Sequence, residues 1–221
     1  MAAVGRGQDL VTAVEPVARR MQASNCFAEA TLAPFWMKPF LLPLALFVVS
    51  APRLAADLPA SIAAQLPMGY VPMLFRAGPR IGDHRQSMLV VVHRPGDSAA
   101  NPSPRPLLVF EGQANGGYRL SARNDTVVLR ANQGGQCDPF DDGEDGLAVK
   151  GRFFTVQNAV ACGAHWTDFI TFRYDLERRT WLFDNEILTF SDPLNGAPDK
   201  IKMTHASRAN PVRFETWRRM P

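Results

Sequence analysis

From Leu66 onward, apolar residues come in short runs separated by Gly, Pro, Asn and Asp, and no stretch carries a convincing helical period. That punctuation predicts β-strands. The runs fall at residues 70–75, 87–93, 107–111, 118–122, 126–129, 147–149, 152–156, 167–174, 181–190 and 212–216. The run 87–93 is continuously apolar, as in a strand buried on both faces. Residues 112–117 make a hairpin between two runs, and Lys150-Gly151 makes a tighter one in which Gly supplies a positive φ. In 167–174, Phe169, Thr171 and Arg173 alternate with Ile170, Phe172 and Tyr174, so aromatics sit on both faces and the strand is expected to be central. Residues 57–65 read as one short helix. About ten short strands with local connections predict an all-β antiparallel meander or sandwich rather than a βαβ fold. No internal repeat supports a propeller.

The chain start follows another pattern. Met37-Lys38 precedes a largely apolar run at 40–49, then small residues up to Ala56 before Asp57. A basic start, a short apolar stretch and small residues make a secretory signal peptide. A membrane anchor needs roughly 20 apolar residues, and this run is about half that and carries Pro43. Residues 37–56 are therefore expected to be a signal peptide cleaved after Ala56, leaving no stable membrane span. Residues 57–221 form a single exported β domain. Residues 1–36 are expected to be a gene-start artefact or a disordered leader; the alternative is a cytoplasmic extension on an anchor.

Charge then limits the partners. Five of the 24 basic residues (Arg6, Arg19, Arg20, Lys38, Arg53) and three of the 21 acidic ones (Asp9, Glu15, Glu29) precede Asp57. That leaves 19 and 18 in the body, a net of +1. A nearly neutral body offers no electrostatic footprint for nucleic acid, and none is expected as a partner.

Beyond the leader only Cys137 and Cys162 remain, and an even count in an oxidising compartment is read as a disulfide. A metal pair is the sharper alternative, with His165 the only neighbouring ligand. Next to Cys137, the carboxylates Asp138, Asp141, Asp142, Glu144 and Asp145 crowd one short loop. A hard cation such as Ca²⁺ would relieve their repulsion. The spacing does not match an EF-hand, and Asp142-Gly143 and Asp145-Gly146 are turn dipeptides. The expectation is that Asp138 caps a turn, Phe140 tucks under the sheet, and the rest face solvent without a metal.

No G-x-S-x-G elbow occurs, and His84, His93, His165 and His205 lack motif partners. No catalytic residue and no cofactor is assigned. Arg173, Arg178, Arg179 and Trp181 gather around one turn, and Trp217, Arg218 and Arg219 close the chain. Arg and Trp are enriched at binding hot spots, which makes Arg173, Arg178 and Trp181 candidate binding residues; the plainer reading is ordinary core edge and solubilising surface.

Several of these segments, in this order, resemble a family of exported bacterial β-rich proteins with an FG-GAP/VCBS-like Asp/Gly loop. The matching stretches are Pro67-Met68-Gly69-Tyr70, 107–110 with 118–124, Asp138-Pro139-Phe140, 146–156, 162–166 and 171–174. The family's calcium loop falls at 77–86, where only Asp83 is a carboxylate, so that loop is expected to have lost its metal. The resemblance implies export and a β fold, and carries no activity.

Together these readings predict a periplasmic or secreted non-catalytic binding or interaction protein, with a protein partner in the cell envelope. The alternative is an envelope-directed hydrolase using loop 138–145 as a metal or acid/base site.

Overall fold

The computed structural model describes residues 57–82, 85–140, 146–162, 165–192 and 196–219. The leader and signal-peptide assignments lie outside the described residues, as do Asp141, Asp142, Glu144, Asp145 and His84. None of the described helices is long and apolar enough to cross a membrane.

Two antiparallel sheets form. The first holds β1 (Val71–Ile81), β2 (Arg85–His93), β3 (Leu107–Gly112) and β4 (Tyr118–Asn124), in that order. The second holds β5 (Leu147–Lys150), β6 (Phe153–Val160), β7 (His165–Asp175), β8 (Thr180–Asp192) and β9 (Ala197–His205), also in order. Both are meanders, as the local connections predict. Both predicted hairpins form, and Gly151 sits at φ 58° in the tighter one.

The inner faces of the two sheets share one core. Leu89, Val91, Leu107 and Val109 of the first sheet meet Phe154, Val156, Ile170 and Phe172 of the second. Aromatic rings fill its centre: Phe172 lies 5.0 Å from Phe214 and 5.3 Å from Phe154, and Phe154 lies 5.0 Å from Trp181. Edge-to-face rings at such spacings add to their burial.

The continuous apolar run of β2 has the expected cause. Its outward residues Val90 and Val92, with Leu108 and Phe110 of β3, pack beneath Ile62 of the short helix α1 (Ala60–Ala63). Polar bonds to β4 fix that helix. Gln65 Nε2 donates to the Tyr118 carbonyl at 2.7 Å, and Gln65 Oε1 accepts the Leu120 amide at 3.1 Å. The Ser61 hydroxyl accepts the Tyr118 amide at 3.2 Å. These side chains satisfy backbone groups of an edge strand, which otherwise invite a foreign strand.

Two expectations fail, and one strand was not foreseen. Residues 126–129 form no strand, although Val127, Val128 and Leu129 are buried. Their amides go instead to side chains: Asn124 Oδ1 accepts Thr126 and Val127, each at 2.8 Å, and Asn158 Oδ1 accepts Leu129 at 2.9 Å. Residues 212–216 make one bridge, Arg213 with Leu182, and then a short 3-10 helix, Phe214–Thr216, which buries Phe214 in the core. Strand β9, by contrast, has no run among those predicted. Lys200 and Lys202 alternate with the exposed Ile201 and Met203, so it lacks the apolar signature of a covered strand. Lysines on an edge also deter further pairing.

Candidate functional site

Cys137 and Cys162 form a disulfide, with Cα atoms 6.2 Å apart. Asp138 beside it is held by Arg105, which donates Nη1 to Oδ1 at 2.6 Å and Nη2 to Oδ2 at 2.5 Å. Arg105 Nε binds Asp97 at 2.6 Å, and Asp97 also accepts the Ser103 amide at 2.6 Å. Burial alone would lower the pKa of Arg105 and raise that of Asp97. The bonds to Asp138 and then Asp97 hold Arg105 above its ordinary value, and those from Arg105 and the Ser103 amide hold Asp97 below its own. Asp138 Oδ1 also accepts the Phe140 amide at 3.0 Å, an Asx turn, and Phe140 is buried. Asp138 is thus committed to a guanidinium and a turn.

The three binding candidates separate. Trp181 is 1% exposed and packs on Phe154 and Tyr174. It is a core residue, because the β8 register turns it inward opposite Tyr174, and it contributes nothing to a surface. Arg173 and Arg178 line a depression of about 630 Å³ at the end of the second sheet. Arg152, Arg208, His205 and Asp184 line it too. Four arginines thus face one lining carboxylate.

Each comes from a different local cause. Arg173 lies on the outer face of β7, where alternation places it opposite the inward Phe172 and Tyr174. Its Nε approaches Asp184 at 3.3 Å and its Nη1 approaches Asp175 at 3.4 Å. Arg178 is in the β7–β8 turn; its amide donates to Asp175 Oδ1 at 2.9 Å, the bond that chiefly holds the Asp175 carboxyl below its ordinary range. Arg152 follows Gly151 in the β5–β6 turn, with its guanidinium 5.8 Å from the Phe153 ring centroid. Arg208 and His205 come from the end of β9 and the loop after it, and both are exposed. Sequence reasoning missed Arg152, Arg208 and His205, because they lie far from Arg173 along the chain.

A second depression, of about 550 Å³, lies on the other side of the same turn and takes residues from both sheets. Arg85, Arg119 and Arg179 line it with Glu111, Ser121 and Tyr174. Burial raises the Tyr174 hydroxyl pKa, and the Glu111 carboxylate adds to the shift.

A different cluster sits on the inner face of the second sheet. Asp168 is fully buried, and Arg219 pairs with it and lies 3.6 Å from Glu186 Oε1. Burial raises the pKa of both carboxyls, and Asp168 raises Glu186 further, against opposition from Arg219 and Lys202. Asp168 Oδ1 and two nitrogens of Arg219, Nε and Nη2, are buried with no hydrogen-bond partner. An apolar groove of about 360 Å³ opens beside it, lined by Trp166, Leu188 and Phe190. Among the described residues no three His, Cys, Asp or Glu side chains gather as a metal set.

The fold and these surfaces define a disulfide-bonded β-sandwich with arginine-rich depressions at one end. No family model, curated protein or solved structure matches the chain.

Proposed function

We propose that the chain is an exported, non-catalytic binding protein that holds an anionic group in the depression between β7, β8 and the loop after β9. The observation that carries this reading is the gathering of Arg152, Arg173, Arg178 and Arg208 around one concavity. Guanidinium groups recognise phosphate, sulfate and carboxylate through paired N–H donors. Asp175 and Asp184 engage Arg173, and Asp175 engages Arg178, which pre-orients those two. Among the described residues Arg152 and Arg208 have no carboxylate partner, and they carry the positive charge that a ligand would meet.

Export rests on the signal-peptide pattern at 37–56 and on the disulfide, since such bonds persist in oxidising compartments. An anion-bearing envelope partner then replaces a partner of unspecified chemistry. The hydrolase reading assigned acid/base work to loop 138–145, and the capture of Asp138 by Arg105 speaks against it.

The test is titration of tripolyphosphate into the purified domain at low salt, followed by calorimetry. Binding should occur and weaken steeply with ionic strength. Arg152→Ala and Arg208→Ala should each weaken it about tenfold, with little change in folding, because both side chains are exposed. Absence of binding at millimolar tripolyphosphate, or an affinity unchanged from the parent protein in both variants, overturns the reading.

A further inference from the structure

Arg179 is the one non-glycine residue among the described residues with a left-handed backbone, at φ 50°. That conformation brings Cβ against the following carbonyl, and glycine is the residue that adopts it freely. The chain nevertheless places an arginine there, immediately after Arg178. The consequence is directional. Arg178 lines the first basic depression and Arg179 lines the second, so one turn presents adjacent guanidinium groups to two concavities. Consecutive Cα atoms are about 3.8 Å apart, so this one turn supplies a wall to each depression. Strained residues of this kind cluster where a ligand is gripped.

Resting on the anion-binding reading above, we infer that the two depressions are one continuous site for a linear polyanion. Its chain crosses the β7–β8 turn between Arg178 and Arg179. Sites for single small ligands span about 300–1,000 Å³. Depressions of about 630 and 550 Å³ taken as one site exceed that range, which suits an extended ligand. The chemistry favours an acidic polysaccharide. Each depression mixes its arginines with hydroxyl and carboxylate acceptors, Ser207 and Asp184 in the first, Ser121 and Glu111 in the second. These acceptors suit the hydroxyls of a sugar chain that also carries acidic groups. Single-stranded nucleic acid needs exposed aromatic faces for its bases. The aromatic residues here are buried or half-buried: Phe183 and Tyr174 belong to the core, and Phe153 lies under Arg152.

Arg179→Gly tests the bridge. The variant should melt no lower than the parent protein, because glycine accepts the left-handed conformation. Its affinity for tripolyphosphate, which fits the first depression alone, should stay within about twofold. Its affinity for a sulfated dodecasaccharide should fall about tenfold, and Arg179→Lys should restore most of that loss. Unchanged dodecasaccharide affinity in Arg179→Gly, with tripolyphosphate binding intact, overturns the bridge and leaves the single-depression reading standing. Failure of tripolyphosphate to bind overturns both. Oligothymidylate of equal charge binding as tightly as the dodecasaccharide overturns the polysaccharide assignment.

Discussion

Arg105 clamps Asp138 from 33 positions away in sequence, with both carboxylate oxygens paired to separate nitrogens of one guanidinium. The third donor position, Nε, holds Asp97, so one buried arginine ties the β2–β3 loop to the segment that enters the disulfide. A cation enclosed by two carboxylates keeps its charge in the interior, but removing it strands both anions.

Arg105→Met should therefore destabilise the domain by about 3–5 kcal/mol. Urea denaturation of the folded protein measures it. A loss below about 1 kcal/mol, the range of a surface ion pair, would show that the clamp is not buried in solution.

The disulfide adds a separate constraint. It closes a loop with a sequence separation of 25. Cys137→Ser together with Cys162→Ser should cost about 3–4 kcal/mol through restored freedom of the unfolded chain. Free alkylation of both thiols in native, non-reduced protein would show that the bond is absent.

Calcium at millimolar concentration should leave the melting temperature unchanged, because a ligand stabilises only if it prefers the native state. Asp138 is already taken by Arg105 and the Phe140 amide. A rise of several degrees that vanishes in Asp142→Asn would establish a cation site in the loop.

Stability should pass through a maximum on the acid side of neutrality. Asp168 and Glu186 have ordinary values of 3.8 and 4.5, and burial holds both above them in the folded state. The native protein then binds protons that the unfolded chain releases, so stability rises as pH falls through that window. Asp97 and Asp175 are held below 3.8, so their contribution is present above that value and is lost on further acidification. Urea midpoints between pH 7 and 3 should first rise and then fall. Asp168→Asn should flatten the first limb; an unaltered limb would show that this cluster does not set it.

Export has its own readout. Translation from Met37 should yield a periplasmic protein beginning at Asp57 or within a few residues of it. Intact mass decides this, and a membrane-bound species retaining Met37 would overturn the signal-peptide reading.

The strands were readable wherever packing is strong. Residues 87–93 announce β2, because a strand covered on both faces must be apolar on both, and 167–174 announce β7 through strict alternation, with one buried and one half-buried face. The hairpin at Lys150-Gly151 was legible for a local reason, since a positive φ selects glycine. Strand β9 was not, because an edge strand exposed at residues 200–203, with lysines at alternate positions, needs no apolar signature. Residues 126–129 carried that signature without being a strand: Asn124 binds the Thr126 and Val127 amides locally, and the distant Asn158 binds that of Leu129, a partner that leaves no periodic trace.

By itself, the sequence determined the all-β class, the cysteine pairing and the burial of Phe140, which follow from period, parity and turn chemistry within short stretches. Only the tertiary structure decided the placement of charge. A net of +1 over the body is a sum, and a sum does not say where its members lie. Antiparallel pairing brings Arg152, Arg173, Arg178 and Arg208 to one end of the second sheet. It also sends Trp181 inward, because the direction a strand side chain takes depends on register, while the folding of two loops together brings Arg105 to Asp138.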